Sequence, residues 1–150
     1  IYFKEILKNN YDCNVIFIAG KSKTAYKKAK EYVNKHNNKN IKVFGYVTNI
    51  NEFYSISDFV VTKPGGVQVT ECLFFNKPMI LIKSNGGQEI ENRNFLCKKE
   101  YAKWARTRRE FNKQFRRLLD DEYRNKMQKK INKIDYKKSM DKLYKLVDKM

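Results

Sequence analysis

The sequence predicts an α/β domain, a Rossmann-like open parallel sheet flanked by helices. Two observations predict it. Short runs rich in β-branched and aromatic residues alternate with segments whose apolar residues recur at helical spacing. The joints after successive strand runs are polar or glycine-bearing, and in such sheets those joints gather at the carboxyl edge, where ligands bind.

In chain order, Ile1 to Asn10 carries Phe3, Ile6 and Leu7 at helical spacing and reads as the end of a helix or linker. Asn14 to Ala19 (NVIFIA) is predicted as a buried strand, ended by Gly20-Lys21-Ser22. A helix follows with Ala25, Ala29, Tyr32, Val33 and His36 on one face, His36 at its carboxyl end, where the dipole favours it. Ile41 to Val47 is the second strand, and Asn49 to Ser57 a short helix. Asn49 with Glu52 three residues later has the form of a capping box. Phe59 to Thr62 is the third strand, broken by Pro64-Gly65-Gly66; Val67 to Asn76 is the next helix and Pro78 to Lys83 (PMILIK) the fourth strand. Gly86-Gly87 opens a helix running to about Lys99, and Ala102 to Arg106 is a fifth, edge strand. Three apolar stripes close the chain: Phe111, Phe115, Leu118 and Leu119; Tyr123, Met127, Ile131 and Ile134; Leu143, Leu146, Val147 and Met150. Residues 107–150 are thus expected to be a helical C-terminal extension.

At 150 residues the chain is one domain, able to bury roughly 70% of the surface its unfolded form exposes. It starts at Ile1, not Met, so it is expected to be part of something longer. No stretch reaches the ~20 apolar residues of a membrane-spanning helix. The 3 cysteines, Cys13, Cys72 and Cys97, are far apart and odd in number, which points to reduced thiols in a cytosolic protein and away from a disulfide frame or a zinc site. One histidine, His36, argues against histidine-based metal or triad chemistry. The net charge of +17 is uneven: residues 1–97 hold 14 Lys and Arg against 8 Asp and Glu, residues 98–150 hold 19 against 8. The excess therefore sits on the C-terminal third, away from the glycine turns. A basic face of this kind is attracted to an anionic bilayer. It also raises the alternative of a nucleic-acid-binding module, which would interleave basic residues with stacking aromatics; here the aromatics mostly fall on apolar faces.

The chemistry concentrates between Phe59 and Asn92. Two glycines directly before a helix leave backbone N–H groups uncovered at its positive end, which favours a phosphate or diphosphate. One βα unit later, Gly86-Gly87 leads into Gln88, Glu89 and Asn92, polar groups suited to sugar hydroxyls. The rim is expected to gather four turns, Gly20–Ser22, Val47–Asn49, Lys63–Gly66 and Ser84–Gly87. The pattern points to a nucleotide-sugar site.

TKPGGVQVTE (Thr62–Glu71), NKPMILI (Asn76–Ile82) and GGQEIEN (Gly86–Asn92) together resemble the C-terminal donor-binding domain of GT-B glycosyltransferases. The group most resembled is the monogalactosyl- and diglucosyl-diacylglycerol synthases, with MurG more distant, and the likeness covers about residues 13–105. The resemblance implies the C-terminal half of a GT-B fold, an acceptor-binding half upstream that this chain lacks, and an inverting transfer of a hexose from a UDP-sugar to diacylglycerol. It implies no metal or other cofactor, a lipid acceptor and an anionic membrane surface as partners and no nucleic acid. Localisation follows as cytoplasmic, peripheral on the inner face of the cell membrane.

Residue by residue, the resemblance assigns Glu71 to the two ribose hydroxyls, whose spacing a carboxylate matches. Gly65, Gly66, Val67 and Gln68 would offer amides to the diphosphate, with Gly20 and Ser22 on its other side. Val47 would read the uracil edge, and Gln88 and Glu89 would bind sugar hydroxyls with Asn92 in support. No catalytic residue is expected in this half; the general base would lie in the other domain. Structural readings stand beside these: Gly65-Gly66 as a tight turn, Glu71 as a solvated helix residue, Gln88 and Glu89 as capping residues, Ser22 as the N-cap of its helix. Trp104 with Arg106, Arg108 and Arg109 is either a membrane-facing edge or a packed indole among solvated arginines. A UDP-sugar 2-epimerase half, with the same architecture, is the alternative enzyme.

Overall fold

The computed structural model describes residues 2–84 and 86–136. The third apolar stripe, Leu143 to Met150, lies outside the described residues. The strands are β1 (Val15–Ile18), β2 (Ile41–Phe44), β3 (Val60–Thr62), β4 (Met79–Ile82) and β5 (Ala102–Ala105). The helices are α1 (Tyr2–Asn9), α2 (Lys23–Lys35), α3 (Ile50–Ile56), α4 (Gly66–Phe74), α5 (Gln88–Lys98), α6 (Arg108–Leu119) and α7 (Asp121–Ile131). Every pairing is parallel, as the βα alternation predicts.

β4 is the centre of the molecule. Met79, Ile80 and Leu81 are fully buried, because β3 and β5 flank the strand and helices cover both faces. The period-2 alternation of a strand sorts its side chains between two cores. Ile80 faces Ile6, Ala105, Phe111, Phe115, Leu118 and Met127, from α1, β5, α6 and α7. Met79 and Leu81 face Tyr54, Val69, Cys72, Leu96 and Ala102, from α3, α4, α5 and β5. The continuous apolar run PMILIK therefore reads as it does because both of its faces are interior. α6 is integral to this architecture: Phe111 and Leu118 are fully buried. Inside the same layer the Glu5 carboxylate accepts from Asn112 Nδ2 at 3.2 Å and lies 3.6 Å from Arg108 Nε, which offsets the cost of burying it.

Two expectations are corrected. The strands do not form one continuous sheet but two parallel ladders, β1-β2 and β3-β4-β5. β3 is three residues long, and among the described residues no ladder joins it to β1, though Val15 shares a core with Phe59 and Val61. Nor is β1 buried on both faces. Val15 and Phe17 turn inward, Phe17 against Phe3 with ring centroids 4.6 Å apart, while Ile16 on the other face is 36% exposed. α3, α4 and α5, which cover the corresponding face of the larger ladder, assemble around β4 instead.

Helix ends follow local chemistry. α2, α4 and α5 each end in a left-handed residue, Asn37, Asn76 and Glu100. The paired bonds of the Schellman motif follow, for α4 Lys77 N–H to Cys72 O at 2.7 Å and Asn76 N–H to Leu73 O at 3.0 Å. Asn49 does sit at the N-cap of α3, but its side chain makes no cap; its amide donates to Glu52 Oε2 at 2.9 Å. The capping box is instead at α6, between Thr107 and Glu110. His36 caps the carboxyl end of α2 as predicted.

Candidate functional site

Because β3 and β4 run parallel, the turns that follow them open at the same edge. A side-chain bond fixes their approach: Asn92 Nδ2 on α5 donates to Pro64 O in the β3–α4 turn at 3.0 Å. Pro64 is fully buried, so this joint is anchored in the core. The two glycine turns therefore share one rim, and Asn92 is the residue that ties them.

Both helices that start there begin without a side-chain cap. Gly65 is the N-cap of α4 and Gly87 that of α5. At α4 the amides of Gly66, Val67 and Gln68 have no intrahelical acceptor. Gly65 has an ordinary φ of −72°, so the glycines of this turn are not there for backbone freedom. A Cβ built on Gly66 meets nothing within 4 Å, whereas one on Gly65 would touch the Gln68 side chain, which folds back over it. The space over the first turn of α4 is thus open, and Val67 beside it is 70% exposed. The second turn differs: Gly86 has φ +106° and Gly87 φ +51°, conformations that a side chain would strain. Gln88 is exposed and Glu89 half-buried in the first turn of α5.

Glu71 lies in the second turn of α4. Its Oε2 accepts a hydrogen bond from the Tyr54 hydroxyl at 3.0 Å. Tyr54 belongs to α3, is 7% exposed, and stacks on Phe75 with ring centroids 5.6 Å apart at 27°. Burial, with Cys72 and Glu71 beside it, pushes the Tyr54 phenol well above its ordinary range, so at neutral pH it is a donor. Burial, and then the neighbouring Glu71 carboxylate, push the Cys72 thiol up to about 12. Sequence reading missed Tyr54 altogether. The one signal was a tyrosine on an otherwise apolar helix face, since a buried phenol requires a hydrogen-bond partner.

The other two turns form a cleft of their own, about 440 Å³, lined by Gly20, Lys21, Ser22, Lys23, Tyr26, Gly45 and Tyr46. Gly20 has φ +58° there. Ser22 Oγ accepts from Ala25 N–H at 3.2 Å, so Ser22 is the N-cap of α2; its hydroxyl proton remains available to an acceptor. Val47 is half-buried just beyond this lining, which Gly45 and Tyr46 supply instead. Lys21 Nζ stands 5.4 Å from the centre of the exposed Tyr46 ring. The structure thus brings the expected residues together in two pairs of turns. Glu71 is linked through Tyr54 to α3, the helix that follows the β2 turn.

A second concavity, about 560 Å³, lies on the flank of α6 between Arg109, Asn112, Lys113 and Arg116. Asn9 Oδ1 accepts from Arg116 Nη2 at 3.4 Å, and Arg116 lies over the Tyr11 ring at 5.9 Å. Trp104 is half-buried against the core that holds Leu81 and Leu96, with the Arg93 guanidinium 4.9 Å from the ring centre. Among the described residues no cluster of three or more His, Cys, Asp or Glu is placed to hold a metal ion, and no helix is long and apolar enough to cross a membrane.

The chain is similar to known proteins. Residues 3–147 match the glycosyltransferase family 28 C-terminal domain. The processive diacylglycerol beta-glucosyltransferase of Staphylococcus haemolyticus is 31% identical over 142 residues, covering 91% of this chain and 36% of that protein. That of Bacillus subtilis is 38% identical over 96 residues, covering 62% of this chain and 25% of its own length. The chain therefore spans about a quarter to a third of the relatives it matches. Among solved structures, MurG of Acinetobacter baumannii superposes with a TM-score of 0.68 at 15% identity, over 85% of this chain and 39% of MurG. That likeness establishes the shared fold. By the match that runs through nearly all of its length, the chain belongs to the glycosyltransferase family 28 C-terminal domain family.

Proposed function

We propose that this domain is the donor-binding half of an inverting glycosyltransferase that moves a hexose from a UDP-sugar to diacylglycerol at a membrane surface. The observation that carries the reading is the Asn92–Pro64 bond, which sets an uncapped helix start beside the glycine turn bearing Gln88 and Glu89. The family match and the names of the relatives support the reaction class and favour a lipid acceptor.

In this reading the amides of Gly65, Gly66, Val67 and Gln68 hold the diphosphate, with Gly20 and Ser22 opposite. Val47 reads uracil, Glu71 binds the ribose diol, and Gln88 and Glu89 bind the hexose. Bond breaking at the anomeric carbon leaves negative charge on the departing UDP. Dipoles already fixed at the start of α4 stabilise that charge without reorganising, which lowers the barrier more than it tightens the ground state. Those dipoles and Lys21 and Lys23 supply positive potential without a metal. The base that deprotonates the acceptor belongs to a second domain, with residues 1–150 forming the donor domain and 107–150 its helical end. The basic flank of α6 draws the enzyme to anionic lipid on the cytoplasmic face of the membrane, each cation near the surface contributing about 1 kcal/mol.

The test is transfer by the full-length protein from UDP-glucose and UDP-galactose to diacylglycerol in vesicles, with and without a chelator. Glycolipid formation that survives chelation is expected. Formation of an epimerised UDP-sugar without acceptor, or no binding of UDP, would overturn the reading.

A further inference from the structure

Glu71 alone does not define a ribose site, because an unrestrained glutamate on a helix samples several rotamers and each must be fixed before it can bind. The structure restrains this one from a different element. Tyr54 lies 17 residues earlier, on α3, with β3 between them, and its hydroxyl reaches Glu71 Oε2 at 3.0 Å. The Tyr54 ring is itself clamped. It is 7% exposed, stacked on Phe75, and packed in the core with Val69, Cys72, Met79 and Leu81. The donor is thus fixed by packing, and the carboxylate is the movable member of the pair.

The stoichiometry leaves room for a ligand. An ionised carboxylate offers about four lone-pair sites. Tyr54 occupies one on Oε2, and Oε1 has no partner among the described residues. A vicinal diol needs two more acceptors, which remain.

Resting on the reading of Glu71 as the ribose ligand, we propose that Tyr54 is a positioning residue: its hydroxyl holds the Glu71 carboxylate in the rotamer that accepts both ribose hydroxyls, and so sets the preference for ribonucleotide over deoxyribonucleotide donors. Tyr54 touches no substrate. Its effect is largest on ligands that carry both ribose hydroxyls, a selectivity that a merely structural role would not produce.

Titration calorimetry on the full-length protein with UDP and 2′-deoxy-UDP separates the possibilities, using wild type, Tyr54→Phe and Glu71→Ala. The ratio of the two affinities is internal to each folded protein, so a general loss of stability cancels. Tyr54→Phe removes one hydroxyl and keeps the stacked ring. It should weaken UDP binding roughly three- to tenfold, the size of one lost net hydrogen bond. Binding of 2′-deoxy-UDP, which keeps only one of the two hydroxyls, should weaken by a smaller factor, so the ratio narrows. Glu71→Ala should bring the ratio close to one. If Glu71→Ala collapses the ratio while Tyr54→Phe leaves it at the wild-type value, the role of Tyr54 is overturned and the ribose site stands. If neither variant moves the ratio, Glu71 is not the ribose ligand, and the positioning role falls with it.

Discussion

Two groups of helices in this molecule begin in opposite ways. α2, α6 and α7 start with side-chain caps, Ser22, Thr107 with Glu110, and Asp120, each accepting a backbone N–H of the first turn. α4 and α5 start on glycines that cap nothing. A side-chain cap stabilises a helix by about 1 kcal/mol over alanine and only a few tenths over glycine, so the uncapped starts cost little stability. What the start of α4 leaves is a set of amides, those of Gly66, Val67 and Gln68, with no intrahelical acceptor at the positive end of the helix. The capped helices pack against the rest of the fold through buried stripes such as Phe111, Phe115 and Leu118. The uncapped pair faces a space in which a Cβ at Gly66 meets no atom. Both groups bury core residues, Val69, Cys72 and Leu96 on α4 and α5 among them, but at the start of α4 the amides are left open to solvent.

The contrast breaks most readily at Glu71. Glu71→Ala removes two charge-assisted hydrogen bonds to a ribose and should cut UDP affinity about a hundredfold, by calorimetry; it also leaves the buried Tyr54 hydroxyl without its acceptor, which should cost about 1–3 kcal/mol of stability in urea titration. Gly66→Asp tests the uncapped start itself, because there stability and binding move in opposite directions. A carboxylate in the first turn of α4 should stabilise the fold by about 0.5–1 kcal/mol in urea titration. The same charge, set where a diphosphate is expected, should weaken UDP binding tenfold or more, by the like-charge penalty of about 1.4 kcal/mol per decade. A rise in both would show that nothing anionic binds there.

Beneath the rim, Cys72 carries a pH signature. Its pKa is raised on folding, to about 12 from an ordinary thiol value near 9. The stability it contributes is therefore complete below pH 9 and declines as pH rises from 9 towards 12, because the unfolded thiol loses its proton first. The slope should approach 1.4 kcal/mol per pH unit, and Cys72→Ala should flatten it in urea midpoints measured between pH 8 and 10.5. The smallest effect belongs to the capped group. Thr107→Ala opens the box at α6 and should cost about 1 kcal/mol, a fall of roughly 2–4 °C in Tm, with UDP binding unchanged.

Element order was legible because it follows from periodicity, and β4 shows why: MILI has no polar position to spare when both faces are interior. The split between the ladders was not, since it depends on how β1 and β3 approach in space. Caps show the limit of motif reading most clearly. Asn49 and Glu52 have the spacing of a capping box, but Asn49 adopts φ −107° and ψ 44°, away from the extended geometry in which a cap side chain reaches back. Thr107 adopts φ −116° and ψ 162°, and there the box forms. In the site, Gly65-Gly66, Glu71 and Gly86-Gly87 were legible as a local pattern. Ser22 proved to be a cap as well. Tyr54 was invisible, because its link to Glu71 crosses a strand and depends on packing against Phe75.

The central claim is that the bare amides at the start of α4 receive the diphosphate of a nucleotide. A titration of the ¹⁵N-labelled chain with UDP, followed by amide chemical shifts, tests it directly. The account predicts saturable shifts largest at Gly66, Val67 and Gln68, with smaller ones around Gly20 and Gln88. Shifts confined to Arg109, Lys113 and Arg116 on α6, or none at the α4 turn, would contradict it.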